Sequence, residues 1–206
     1  ARAVILVKSV RFEMKDDVAY IRVNRFGDDT EAGFKDAVKQ LRDKKAERLV
    51  IDMRNNPGGF LDTAVEMASL MLPAGQIVVM EEDGSGKRIE LKARGGDVLS
   101  SLPTVILINE GSASASEILA GALRENRDNV RLVGKKSFGK GSVQELVSVT
   151  KETAVKITIA RWLTPEGNQI HNVGIAPDVE VGITSEDREN KRDPQLDKAL
   201  EEVKKL

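Results

Sequence analysis

The sequence predicts a single α/β domain, and three observations predict it. Apolar runs of strand length alternate with amphipathic helical stretches through the middle of the chain, which calls for parallel strands joined by crossovers. Loops at the ends of those strands are rich in glycine, asparagine and serine, where open α/β sheets gather functional groups. No flexible linker divides the 206 residues, and no internal repeat is visible.

Strand patterns lie at Ala3–Val7, Arg11–Met14 and Val18–Val23, with Asp16-Asp17 as a turn. Phe34, Ala37, Val38 and Leu41 fall at helical spacing within Thr30–Leu41. Arg48–Met53 is a short strand that ends in Arg54-Asn55-Asn56-Pro57-Gly58-Gly59, and a helix comes next over Leu61–Leu72. Gln76–Met80 and Lys87–Leu91 form a hairpin around Asp83-Gly84-Ser85-Gly86. The strand Thr104–Ile108 leads through Gly111-Ser112-Ala113-Ser114-Ala115-Ser116 into a helix carrying Ile118, Leu119, Ala122 and Leu123. After the strand Val130–Val133, Val143–Val149 and Thr153–Leu163 make a second hairpin. Val173–Val181 reads as extended and is broken by Pro177; Asp187–Arg192 reads as a charged linker. A terminal helix covers Asp193–Leu206, with Asp193 as cap and Pro194 in the first turn. The division this implies is a core over 1–186, then linker and helix over 187–206.

Composition removes several function classes. Thirty-two basic and 33 acidic residues leave a net charge of -1, no general basis for binding nucleic acid or an anionic membrane. No apolar run is long enough to span a bilayer, and the first residues are too short for a signal peptide. Without cysteine there can be no thiol nucleophile, disulfide or thiolate zinc site. The one histidine, His171, reads as an exposed loop residue and cannot make an imidazole-rich metal site. No metal or cofactor is expected.

Gly134-Lys135-Lys136-Ser137-Phe138-Gly139-Lys140 satisfies the first seven places of a phosphate loop. The eighth is Gly141, so the magnesium-binding hydroxyl is missing, and Ser142–Val149 alternates like a strand where a phosphate loop needs a helix. Lys140 therefore needs another use. Serines before a helix, a glycine-flanked lysine and the bare amides of Gly58 and Gly59 together suffice for acyl transfer: attack, proton removal and oxyanion binding. Such a lysine must be neutral, which apolar and small surroundings favour. Each piece also has an ordinary reading. Ser112, Ser114 and Ser116 can be helix caps, and the two glycine-rich segments can be plain turns. Residue chemistry leaves both readings open.

Three co-ordered blocks then carry a resemblance: Leu49 to Gly59, Asn109 to Ile118, and Ser137 to Gln144, with weaker agreement through Ile159–Gly167 and Gly174–Asp178. They resemble the carboxyl-terminal processing, or tail-specific, proteases, a serine peptidase family with a Ser-Lys pair. The resemblance implies a ClpP/crotonase-like α/β core with mixed sheets and flanking helices. It implies Ser114 as nucleophile, Lys140 as base and Gln144 as the residue that orients the lysine. It places the oxyanion hole at the amide of Ala115 and in the turn holding Gly58 and Gly59. The implied activity is endopeptidase cleavage of extended polypeptides near their C-terminus, in the periplasm or cell envelope. An acidic residue of the family's pattern falls near Glu125, to which no role is assigned, in a turn one residue longer than usual. Family members carry a PDZ module before the segment where this chain starts, so a catalytic core without that module is expected.

Overall fold

Strands with apolar side chains on both faces can only be stable inside a sheet covered on both sides, and the sequence supplies four. In the computed structural model, which describes residues 7–206, these are β2 (Val18–Val23), β3 (Arg48–Asp52), β6 (Thr104–Ile108) and β7 (Val130–Gly134). They lie side by side and parallel, with β1 (Val10–Lys15) added antiparallel to β2 and the two-residue β10 (Val179–Glu180) parallel to β7. The crossovers contain α1 (Thr30–Asp43), α2 (Leu61–Ser69) and α3 (Ala115–Asn126).

Alternation along each strand decides which core a side chain joins. Leu49 and Ile51 of β3, with Ile106 and Ile108 of β6, pack among the apolar residues of α1, α2 and α3. Val50, Val105 and Leu107 point to the opposite face. That face is covered by α5 (Pro194–Glu202) and a 3-10 turn (Val203–Lys205), which contribute Ala199 and Val203.

The second sheet is antiparallel, in the order β5-β4-β9-β8, formed by β4 (Ile77–Asp83), β5 (Arg88–Lys92), β8 (Ser142–Ser148) and β9 (Ala154–Leu163). Only Ala160–Leu163 of β9 pairs with β4, so the rest of the β8–β9 hairpin projects as a two-stranded arm. Val147, Val155, Ile157 and Ile159 on it are all exposed.

Some expectations change in detail. The strand expected at Ala3–Val7 falls almost wholly outside the described residues. The expected extended piece Val173–Val181 contains just the Val179–Glu180 pairing, because Gly174 and Pro177 keep the segment before it irregular. The charged linker includes part of a short helix, α4 (Ser185–Glu189), started by a reciprocal cap. Asp187 N–H donates to Thr184 Oγ1 at 3.1 Å and Thr184 N–H to the Asp187 carboxylate at 3.0 Å. The terminal helix begins as expected, with Asp193 Oδ1 accepting from Leu196 N–H at 3.0 Å.

Candidate active site

The three small-residue loops meet at the C-terminal ends of β3, β6 and β7. Asn55 and Asn109 tie the first two together: Asn55 N–H donates to Asn109 Oδ1 at 2.8 Å and Asn109 Nδ2 to Asn55 Oδ1 at 3.0 Å. The three serines then separate by what they touch. Ser112 is buried and its hydroxyl donates to Met53 C=O at 2.8 Å; Ser116 is buried and donates to Asn56 C=O at 3.0 Å. Both hold the β3 loop in place. Ser114, part-exposed between them, sits at the strand-to-helix turn with φ 57° and ψ -118°. For a residue with a Cβ this conformation costs about 1–3 kcal/mol, and such strain collects at functional sites.

Gly58 explains part of the constraint. A Cβ on it would lie 2.7 Å from Ser114 Cβ and 2.9 Å from Ala115 N, so only glycine permits the two loops to approach this closely. Its own N–H donates to Asn56 Oδ1 at 2.9 Å and is thereby occupied. Gly58 C=O accepts from Phe26 N–H and Phe60 N–H donates to Phe26 C=O, so alternation turns the Gly59 N–H away from Phe26. Among the described residues neither the Gly59 nor the Ala115 N–H has an acceptor. Gly58 thus serves by its missing side chain, and the unengaged donors are those of Gly59 and Ala115.

The residue that joins serine and lysine loops is one that no sequence expectation singles out. Glu117 is fully buried, and its carboxylate accepts four hydrogen bonds. One oxygen receives Ser114 N–H and Lys140 N–H, both at 2.8 Å; the other receives Ser137 Oγ and Gly139 N–H, both at 2.6 Å. The backbone nitrogens of Ser114 and Lys140 are therefore no more than twice 2.8 Å apart, within reach of the long stem of a lysine. Ser137 Oγ in turn accepts from Ile175 N–H at 2.7 Å. The stretch that resembles a phosphate loop uses its amides to hold an internal carboxylate, and it leads into β8 and no helix. A signal for this residue exists in the sequence: Ser114-x-x-Glu117 is a capping-box spacing.

The Lys140 side chain is exposed, because its loop lies at the surface rim, and its Nζ has no hydrogen-bond partner among the described residues. The burial expected for it is not present in the free protein. Gln144 Nε2 contacts Thr158 Oγ1 across the arm at 3.4 Å and makes no hydrogen bond to Lys140. Glu125 holds a distant turn, accepting from Glu166 N–H and Asn168 Nδ2. His171 is half-buried where exposure was expected, because its backbone packs against Gly141 of the lysine loop. Lys135 is taken up by Glu180 at 2.7 Å. Among the described residues no group of three or more His, Asp or Glu side chains could hold a metal, and no helix is long and apolar enough to cross a membrane.

Beneath the site lies a buried ionic network. Arg54 pairs with Asp52 at 2.7 Å and, through two parallel hydrogen bonds of 2.8 Å, with Asp193. Tyr20 donates to Asp52 at 2.6 Å. Burial and the Asp52 charge together push the Tyr20 phenol above its ordinary range. Burial alone would lower Arg54, but Asp52 and Asp193 outweigh it and raise the guanidinium. Burial works to raise Asp193, and the Arg54 and Leu196 hydrogen bonds overcome it, leaving the carboxyl below its usual range.

A strained serine at a strand-to-helix turn, facing free amides and a lysine loop, is a constellation suited to acyl transfer. Sequence comparison agrees: residues 17–181 match peptidase family S41, and the chain belongs to that family. It is 38% identical over 184 residues to the carboxy-terminal-processing protease of Bartonella bacilliformis, covering 87% of this chain and 42% of that protein. It is 42% identical over 183 residues to a probable CtpA-like serine protease of Staphylococcus aureus, covering 87% of this chain and 36% of that one. This chain therefore spans less than half the length of these relatives. Among solved structures, the photosystem II D1 C-terminal processing protease superposes with a TM-score of 0.81 at 32% identity, over 86% of this chain and 49% of the other. Mature CPAF, at 17% identity and a TM-score of 0.73 over 92% of this chain and 51% of its own, shares the fold.

Proposed function

We propose that this chain is the catalytic core of a serine endopeptidase in which Ser114 is the nucleophile and Lys140 the general base, acting on extended polypeptides near their C-terminus. The observation that carries the reading is the shared Glu117 oxygen, which fixes the Ser114 and Lys140 backbones side by side. Neutral Lys140 takes the proton as Ser114 Oγ attacks the scissile carbonyl carbon. The resulting oxyanion accepts from the Ala115 and Gly59 amides, which are fixed before substrate arrives. Protonated Lys140 then gives its proton to the departing amine, leaving an acyl-Ser114 ester. Water, deprotonated by the same lysine, attacks the ester, and the lysine returns that proton to the departing Ser114 Oγ as the acid product leaves.

A peptide lying over the site would cover the exposed lysine, excluding water and favouring the neutral amine. Gln144 would serve as orienter by exchanging Thr158 for the amine on substrate binding. Cleavage near a C-terminus is supported by the relatives' names, and a place in the periplasm or cell envelope by the family resemblance alone.

Reaction with a serine-directed fluorophosphonate, located by peptide mapping, tests the nucleophile. The adduct is expected on Ser114, and Ser114→Ala should lower peptide hydrolysis by about 10⁴-fold or more with the melting temperature preserved. Ser112→Ala and Ser116→Ala should weaken loop packing yet retain the adduct. An adduct on Ser116 would move the assignment; a folded wild type that neither labels nor hydrolyses would point to a peptide-binding scaffold.

A further inference from the structure

We infer that Asp193, at the start of the terminal helix, is a positioning residue for the oxyanion loop, acting through Arg54. The inference rests on the proposed function for its catalytic consequence, although the physical coupling stands on geometry alone. Asp193 carries out two tasks with one carboxylate. Its Oδ1 caps α5 by accepting from Leu196 N–H, while Oδ1 and Oδ2 together take the Arg54 fork. A cap needs just one acceptor oxygen, and serine or asparagine provides it as well as aspartate. The second oxygen and the charge are directed at Arg54.

Arg54 lies two residues beyond the end of β3, at the start of the site loop, and is almost wholly buried. Its guanidinium is held by Asp52 from behind, by Asp193 in front, and by Gln195 Oε1 at 3.1 Å. The chain beyond it is the site loop. Asn56, two residues on, accepts Gly58 N–H on its side chain, and its C=O receives both Ala113 N–H and Ser116 Oγ. A guanidinium that loses two of its five hydrogen bonds must tilt toward Asp52 or toward water, and the backbone at Arg54 moves with it. Asn56, Gly58 and the Gly59 donor lie within five residues of that movement. The covering helix on the far face of the sheet is thus connected to the catalytic face through one side chain.

Substitution by serine separates the two tasks: Asp193→Ser keeps the cap but is too short and uncharged to hold Arg54. Amide hydrogen exchange by NMR reads the loop directly. Gly58 and Ala113 amides should exchange about tenfold faster in Asp193→Ser, with β6 amides unchanged. On an unstructured peptide, kcat should fall by roughly 10- to 100-fold with KM nearly constant, as expected when catalytic donors are displaced by a fraction of an ångström. Asp193→Asn, which keeps the cap and one acceptor, should fall between and covers the case in which the serine variant fails to fold. Unchanged exchange at Gly58 and Ala113 in a folded variant overturns the inference and leaves Asp193 as a helix cap. Should the wild type prove inactive, the proposed function fails, while the exchange measurement still decides the coupling.

Discussion

The parallel sheet with its loops and the projecting β8–β9 arm are opposite kinds of structure. In the first, every strand residue of β6 is buried and the loop amides are fixed by Glu117, Asn56 and Asn109. In the second, β-branched residues face water on a ribbon supported at one end. The proposed nucleophile Ser114 and the proposed oxyanion donors belong to the rigid half, whereas Lys140 lies at the seam and Gln144 on the arm itself. The difference shows how labour is divided: what must be preorganised before substrate binds is built on the packed sheet. What must adapt to a peptide is left on the part with least packing.

The largest expected effect tests the seam. Lys140→Arg keeps the positive charge and removes any usable neutral form, since arginine stays protonated at every working pH. Its kcat should fall as far as that of Lys140→Ala, roughly 10²- to 10⁴-fold for the loss of a general base. Substantial turnover by the arginine variant, measured on the same peptide, would show that the seam needs charge and would break the assignment of a base to it.

Next comes the clasp. Each Glu117 oxygen serves two donors, so whichever one Glu117→Gln replaces with an amino group, two buried or part-buried donors lose their acceptor. At about 1–3 kcal/mol for each such group, stability should fall by about 2–6 kcal/mol. The kcat should drop about 10²-fold because the lysine and serine loops separate. Urea unfolding and steady-state kinetics together check this. A stability loss without a rate loss would mean that Glu117 holds the fold and does not align the site.

Legibility in the sequence divides along the same line. Val18–Val23 and Thr104–Ile108 are readable to the residue because strand alternation and full burial leave a strong pattern. The three site loops are readable from their small residues, but which serine faces outward depends on backbone angles that composition does not encode. Glu117 is hidden in plain view: the Ser-x-x-Glu spacing announces a cap, and nothing local shows that a second loop will donate to the same carboxylate. The Arg54–Asp193 pair lies 139 positions apart and needs the terminal helix to be docked before it exists. Short α4 escapes because five residues carry too little periodicity to stand out from a charged run.

The smallest expected effect compares the two regions by one identical change. Ile106 lies fully buried in β6, whereas Ile157 is 45% exposed on the arm. Removing a methylene from Ile106 withdraws it from a packed core and leaves a small void, so Ile106→Val should cost about 0.5–1.5 kcal/mol. At Ile157 the same group is already largely in water, and valine is as well suited to a strand, so Ile157→Val should stay within about 0.5 kcal/mol of wild type. Peptide turnover should change by less than about twofold in the arm variant, because no group that touches the reacting atoms has moved. Denaturant unfolding of the pair gives the comparison directly. Equal losses at both sites would mean that the arm is packed in solution against something that buries Ile157, and the contrast between rigid sheet and open ribbon would not hold.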